Sequence, residues 1–188
     1  ILASGAQAAP HLSCVGSGKA ELAEILATYR QLGLRRLVAL RGDLPSGTAS
    51  LGELRYAAEL VAFIRETQAA HWPELRIEVA AYPEVHPQAR SPQADLQAYV
   101  AKVRAGANSA ITQYFYNADA YFRFVDDAHK LGVDVPVVPG IMPITSSSQL
   151  LRFSDACGAE IPRWIRLRLQ GYGDDLDSIK AFGLEVVT

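Results

Sequence analysis

Only two cysteines, Cys14 and Cys157, occur among the 188 residues. No disulfide framework can hold the chain together, and a reducing compartment, the cytoplasm, is expected. Cys14 lies in an apolar segment and reads as a small core residue rather than a nucleophile. No apolar run approaches the ~20 residues of a membrane-spanning helix, so no membrane partner is expected. Neither sign of charge is in excess: 18 Lys and Arg stand against 20 Asp and Glu, a net −2 at pH 7. That balance gives no electrostatic case for nucleic acid or an anionic membrane. No Gly-x-Gly-x-x-Gly follows an apolar run, so the dinucleotide-fold fingerprint is missing. The opening Ile1-Leu2-Ala3-Ser4-Gly5 has no initiator Met and no basic n-region, and no signal peptide is expected. The chain stops at Glu185-Val186-Val187-Thr188, inside a helical pattern, so a piece of a larger domain is expected.

What is present suits a globular enzyme: 49% apolar and 20% charged residues, and enough length for a single domain, 1–188, with a real core. Short apolar runs predict strands at 11–15, 35–41, 76–82, 109–115 and 135–139. Between them, helices are predicted at 19–32, 52–69, 92–103, 118–131 and 147–156, with a last one from Asp175. Gly33, Gly106, Gly132 and Gly158 stop helices, Ser91 and Asn117 cap them, and Pro92 takes a first helical position. His71 and His129 read as solvated. About five β-α repeats, at intervals of roughly 25–40 residues, argue for a parallel sheet with crossover helices. An open doubly wound sheet and a (β/α)8 barrel compete; interesting residues at the ends of several different strands favour the barrel.

Those strand ends carry the candidate chemistry. Leu37-Val38-Ala39-Leu40 is followed at once by Arg41-Gly42-Asp43-Leu44-Pro45, a cation and an anion where α/β enzymes keep functional groups. The tripeptide alone also matches a cell-adhesion motif, but nothing else in the chain looks secreted. The third strand ends in Tyr82, Glu84 and His86, the fourth in Thr112, Gln113 and Tyr114, and the fifth in Pro139-Gly140-Ile141-Met142-Pro143. His11 sits at a strand start, away from this rim. One reading is a metal hydrolase built on His11, Glu84, His86 and Asp43, but their spacing matches no closed ligand motif. Another is a phosphate-bearing cofactor met by Arg41, His86 and Lys102, with Tyr82 and Gln113 at a planar ring. Against it, Lys102 and Arg104 would only solvate a helix end near its negative dipole. No Ser-His-Asp spacing supports nucleophilic catalysis.

Six segments in order are more specific: Ala8 to Cys14, Leu40 to Pro45, Ala80 to Pro87, Gly106-Ala107-Asn108, Ala110 to Tyr116, and Pro139 to Pro143. Together they resemble the methylenetetrahydrofolate reductase family in its bacterial single-domain form, through essentially the whole chain. The resemblance implies a (β/α)8 TIM-type barrel with about five β-α units present and the first two and last strands missing. It also implies FAD, reduced by NADH or NADPH, and ping-pong hydride transfer to 5,10-methylenetetrahydrofolate, giving 5-methyltetrahydrofolate for methionine synthesis. A homo-oligomer is expected from bacterial relatives, and no metal.

Residue by residue, the resemblance gives Asp43 a flavin-tuning role and makes His11, Arg41, Gly42, Ala57, Tyr82, His86, Ala89, Asp95 and Lys102 its fellow flavin contacts. Gln113, Gln149 and Phe153 become substrate contacts; an amide can donate and accept, and an aromatic ring can stack on folate or nicotinamide. The family's proton-donating glutamate lies on a first strand expected to be outside this chain. Ala98 and Ala101 stand where family members carry an Asn and an Arg near the diphosphate. The stretch between Tyr56 and Tyr82 is slightly longer than in the family, through His71-Trp72-Pro73, expected to be a surface loop. Two alternatives remain open: a barrel enzyme acting on a phosphorylated small molecule without flavin, and a catalytically inactive FAD-binding fragment.

Overall fold

A computed structural model describes residues 4–43 and 52–188. Strand and helix alternate through β1 (His11–Ser13), α1 (Lys19–Gln31), β2 (Arg36–Leu40), α2 (Ala57–Gln68), β3 (Arg76–Ala81), α3 (Pro92–Arg104), β4 (Ser109–Tyr114), α4 (Ala118–Lys130), β5 (Val137–Gly140) and α5 (Ser147–Cys157). Two further helices follow, α6 (Arg163–Tyr172) and α7 (Leu176–Val187). The strands pair in the order β1-β2-β3-β4-β5. A doubly wound sheet reverses its strand order at a switch point, whereas a barrel adds each strand beside the last. The unreversed order makes this an α/β fold of the partial TIM-barrel type. Among the described residues, no helix is long and apolar enough to cross a membrane.

Local chemistry explains most element ends. The Ser91 hydroxyl accepts the Ala94 N–H at 3.1 Å ahead of Pro92, and Asn117 accepts from Asp119 N–H at 3.1 Å. These are donors that a helix start leaves without intrahelical partners. Helix α2 begins five residues later than expected because Glu59 reaches back, accepting from Arg55 N–H at 2.6 Å and Tyr56 N–H at 3.3 Å. Leu44 and Pro45, part of the segment after β2, lie outside the described residues. Helix α6 was not anticipated at all. Ile165 and Leu169, four residues apart, bury one side of a helix that otherwise exposes Trp164 and Leu167.

The chain forms two compact units. One comprises Ile1–Ala80, Ala98–Ile111 and Val133–Pro136; the other comprises Ala81–Gln97, Thr112–Gly132 and Val137–Thr188. In the first unit β1, β2 and β3 pair in parallel, with His11 beside Val38 and Val38 beside Glu78. Side chains alternate across a strand, so the next row, Leu12, Ala39 and Val79, faces the other way. That second row is buried throughout, as are Leu22 and Leu26 of α1 and Leu60, Val61 and Ile64 of α2. On the first row, the buried Glu78 carboxylate takes the Arg36 guanidinium, with Nε at 2.8 Å. His71-Trp72-Pro73, expected on the surface, instead buries Trp72 to 2% exposure beside Leu75. A large indole gains more from burial than its polar neighbours lose.

A polar knot closes the same unit. Arg65 of α2 donates to the Gly106 carbonyl at 2.9 Å, the Leu75 carbonyl at 3.0 Å and Asn108 Oδ1 at 2.5 Å. Asn108 Oδ1 also accepts the Ile77 N–H at 2.7 Å. In the second unit the core gathers Ile144, Leu150, Ile161, Ile165, Ile179 and Phe182 around Tyr114. The Tyr114 hydroxyl lies 3.0 Å from the buried Ser154 hydroxyl of α5. Replacing Arg65 with Ala should cost about 2–3 kcal/mol in urea unfolding, because it takes the Arg65 donors from two carbonyls and leaves Asn108 Oδ1 with the Ile77 N–H alone. Asn108→Ala should cost about 1–3 kcal/mol by leaving the Ile77 N–H unpaired. A loss within ~0.5 kcal/mol for both would remove the knot from the list of stabilising features.

Candidate functional site

In the first unit, the loops after β1 and β2 continue the ladder past the strand ends. Cys14 N–H donates to the Leu40 carbonyl at 3.2 Å, and Val15 N–H to the Arg41 carbonyl at 2.9 Å. The close approach requires Gly42: its φ is 83°, and a Cβ there would stand 2.8 Å from the Ser13 Cβ. Arg41 Nε turns back onto the Gly42 carbonyl at 3.2 Å, and Asp43 is exposed. The Cys14 thiol is fully buried, donates to the Arg41 carbonyl at 3.7 Å, and has its pKa pushed up by burial. It is a core residue, as expected.

His11 does not join this group. It is the first residue of β1, aligned with Val38 rather than with the strand end, and it is exposed. Ala57 is half-buried at the start of α2. Lys102 Nζ donates to the carbonyl of Ala80 near the end of β3, a more specific engagement than solvation of a helix end.

In the second unit, three nominated residues, Tyr82, His86 and Ala89, lie between β3 and α3, and a fourth, Asp95 of α3, bonds to His86. Past β3, the Tyr82 ring meets the His86 ring edge-on at 4.5 Å. Asp95 Oδ2, in the first turn of α3, accepts the His86 N–H at 2.8 Å. Ala89 N–H donates to the His86 carbonyl at 2.9 Å, and Gln88 N–H to His86 Nδ1 at 3.0 Å. An accepting Nδ1 leaves the proton of the neutral ring on Nε2.

A small, partly open pocket beside the turn is lined in part by Tyr82, Glu84, Val85, Gln113, Tyr114 and Gly158. Its enclosed volume is about 10 Å³, room for about one water molecule rather than for a ring. Gln113 spends its side-chain oxygen on the Tyr114 N–H at 2.9 Å and keeps its NH₂ as a donor. Gln149 and Phe153, four residues apart on α5, share an exposed face, with the Arg152 guanidinium 5.9 Å from the Phe153 ring centre. Tyr116 donates to the Met142 carbonyl at 3.1 Å, and burial, with Cys157 nearby, pushes its pKa up to about 12.

Sequence reasoning missed what Glu84 does. It is half-buried; its Oε2 accepts the Glu160 N–H at 2.8 Å, while its Oε1 is buried with no partner. Burial, with the Glu160 carboxylate adding, pushes its pKa above the usual carboxylate range. The signal available was Pro83 and Pro87, which bracket it in a stiff turn. Among the described residues, no three His, Cys, Asp or Glu side chains gather as a metal cluster.

Unreversed parallel strands, with polar side chains on the loops that follow them, define a barrel-type α/β scaffold. The sequence profile of methylenetetrahydrofolate reductase matches residues 3–188. The 5,10-methylenetetrahydrofolate reductases of Salmonella typhimurium and Escherichia coli are each 42% identical over 183 residues, 97% of this chain and 60% of theirs. A probable methylenetetrahydrofolate reductase (NADPH) of Caenorhabditis elegans is 38% identical over 93% of this chain and 26% of its own. The chain belongs to the methylenetetrahydrofolate reductase family. It spans about 60% of the length of the bacterial relatives. A solved structure of an uncharacterized protein from Clostridium thermocellum, which binds two copies of 5-methyl-5,6,7,8-tetrahydrofolic acid, matches with TM-score 0.56 at 19% identity. That match covers 94% of this chain and 57% of the other, and it is a likeness of fold.

A raised carboxyl pKa means that the native state holds its proton more tightly than the unfolded chain does, so ionisation of Glu84 costs stability as pH rises through the native value. Relative to Glu84→Gln, the wild type should therefore gain stability on going from about pH 8 to about pH 5, read as the difference between two urea curves. A difference independent of pH would show that the native carboxyl titrates like an exposed one.

Proposed function

We propose that the protein carrying this chain reduces 5,10-methylenetetrahydrofolate to 5-methyltetrahydrofolate with NADH or NADPH, using FAD. In this reading, residues 1–188 form a single domain within a cytoplasmic, oligomeric enzyme of methionine synthesis, and the two substrates react in turn by a ping-pong scheme. One observation carries the reading: the family match runs through residues 3–188, and so through every residue nominated for flavin and folate.

The donor set suits the group. The first unit offers a guanidinium at Arg41 and an exposed carboxylate at Asp43; the second offers a half-buried Tyr82–His86 ring pair. Bound FAD would supply two-electron hydride chemistry that no side chain here can perform. His11, Arg41, Gly42, Asp43, Ala57 and Lys102 in the first unit, and Tyr82, His86, Ala89 and Asp95 in the second, are the residues that would hold it. Lys102 would have to share or leave the Ala80 carbonyl to meet a phosphate. Asp43 would oppose negative charge on the reduced ring and so favour hydride release. Gln113 would donate its amide NH₂ to the folate head group, since its oxygen is committed to Tyr114. Gln149 and Phe153 would flank folate or nicotinamide from one face of α5.

The protein should purify yellow and bleach when NADH or NADPH is added; colourless protein that takes up no FAD would sink the reading. Asp43→Asn should shift the flavin potential and slow folate reduction by at least about tenfold. Gln113→Ala should raise the folate KM by about tenfold while FAD is retained. Equal loss of FAD and folate binding would mark Gln113 as structural.

A further inference from the structure

The turn after β3 contains a backbone outlier. Val85 has φ 89°, in the left-handed region. A β-branched residue there costs on the order of 1–3 kcal/mol and persists only where its surroundings over-determine it. Three contacts do so, all within the second unit. On the C-terminal side, Asp95 holds the His86 N–H at 2.8 Å. On the N-terminal side, Glu84 Oε2 holds the Glu160 N–H at 2.8 Å, a contact between residues 76 apart in sequence. Beneath them, Gly158 ends α5 with φ 73° and leaves space that any side chain would fill. A Cβ on Gly158 would stand 3.0 Å from Pro87 Cγ and 3.2 Å from the Val85 carbonyl oxygen.

Glu84 is a poor choice for stability alone. One of its oxygens is buried without a partner, and a buried carboxylate oxygen with no hydrogen bond is costly. An unpaid polar cost beside a strained backbone is the signature of a device held for function. Its geometric effect is specific. Glu84 pins the turn that carries Tyr82 and His86 to the segment just after α5, the helix that carries Gln149 and Phe153.

We infer that Glu84 is a positioning residue: its carboxylate latches the Tyr82–His86 turn to Glu160, holding the flavin-facing rings in register with the substrate-facing helix. The inference rests on the flavin and folate roles proposed above. In that reading Glu84 is assigned no contact of its own with cofactor or substrate and acts through the turn it holds. Without the latch, Val85 relaxes toward ordinary backbone, the ring pair loses its setting, and the competent turn becomes a minor conformer. A binding-competent state populated one-tenth of the time weakens apparent affinity about tenfold.

The test uses the flavin-loaded protein with Glu84→Ala, Glu84→Gln and Gly158→Ala. Glu84→Ala should raise the FAD dissociation constant about tenfold and move the visible flavin band toward that of free flavin. It should also raise the folate KM more than it lowers the rate of flavin reduction by NADH. Glu84→Gln keeps an oxygen for the Glu160 N–H and should restore FAD affinity to within about threefold of wild type. Gly158→Ala, which crowds the same turn from the other side, should mimic Glu84→Ala. If Glu84→Ala fails to fold, the contrast between Glu84→Gln and Gly158→Ala decides. Wild-type affinity and spectrum in Glu84→Ala or in Gly158→Ala would overturn the latch. A Glu84→Gln variant with its FAD affinity weakened about tenfold would overturn it too, because charge rather than the hydrogen bond would then be what matters. Wild-type protein that takes up no FAD would instead overturn the proposed function.

Discussion

The Oδ1 atom of Asn108 receives two donors from two elements: the Ile77 N–H of β3 and the Arg65 guanidinium of α2. Parallel strands are joined by long crossovers, so no tight turn sets their register. Here a side-chain carbonyl takes the place of a missing ladder partner and sets the entry to β4 beside the start of β3. Arg65 adds the Leu75 and Gly106 carbonyls to the same knot. Desolvation lowers the guanidinium's pKa only against a very high starting value, so it remains charged, and its hydrogen bonds are of the strong, charge-assisted kind. On its other side β3 pairs in parallel with β2, Leu37 beside Ile77 and Ala39 beside Val79.

Those loops are built differently. After β2 the chain turns at a glycine, and the close approach of Gly42 to Ser13 carries no strain because glycine accepts a positive φ. After β3 it turns at Val85, which does not accept a positive φ readily, and the turn is held by carboxylates on either side. Strain concentrated beside the ring pair of Tyr82 and His86, rather than spread through the barrel strands, is where a binding loop would be expected to keep it. The apolar core around Tyr114 supplies the rigid floor: nine buried residues, with Tyr114 and Ser154 satisfying one another's hydroxyls.

Elements defined by neighbouring residues were legible in the sequence. Ser91-Pro92, Asn117, Gly33 and Gly158 act within a turn of their own position, so the chain announces where helices start and stop. The motif segments marked the family because six of them in order are specific. Helix α6 escaped because its buried face consists of only Ile165 and Leu169 among arginines, a stripe too thin to stand out. Trp72 escaped because a short polar loop gives no hint that its one indole turns inward. His11 was expected short of the rim, and its pairing with Val38 puts it there.

By itself the sequence determined the alternation of strands and helices, the family, and which side chains stand at strand ends. Each follows from apolar spacing, capping residues or contiguous motifs, all of them short-range. Only the tertiary structure decided the unreversed strand order, the three acceptors of Arg65, the engagement of Lys102 with Ala80 and the bond from Glu160 to Glu84. The partners in those contacts lie between 10 and 76 residues apart. Whether a donor finds its acceptor at such separations depends on where packing folds the chain back, which no local pattern of residues encodes.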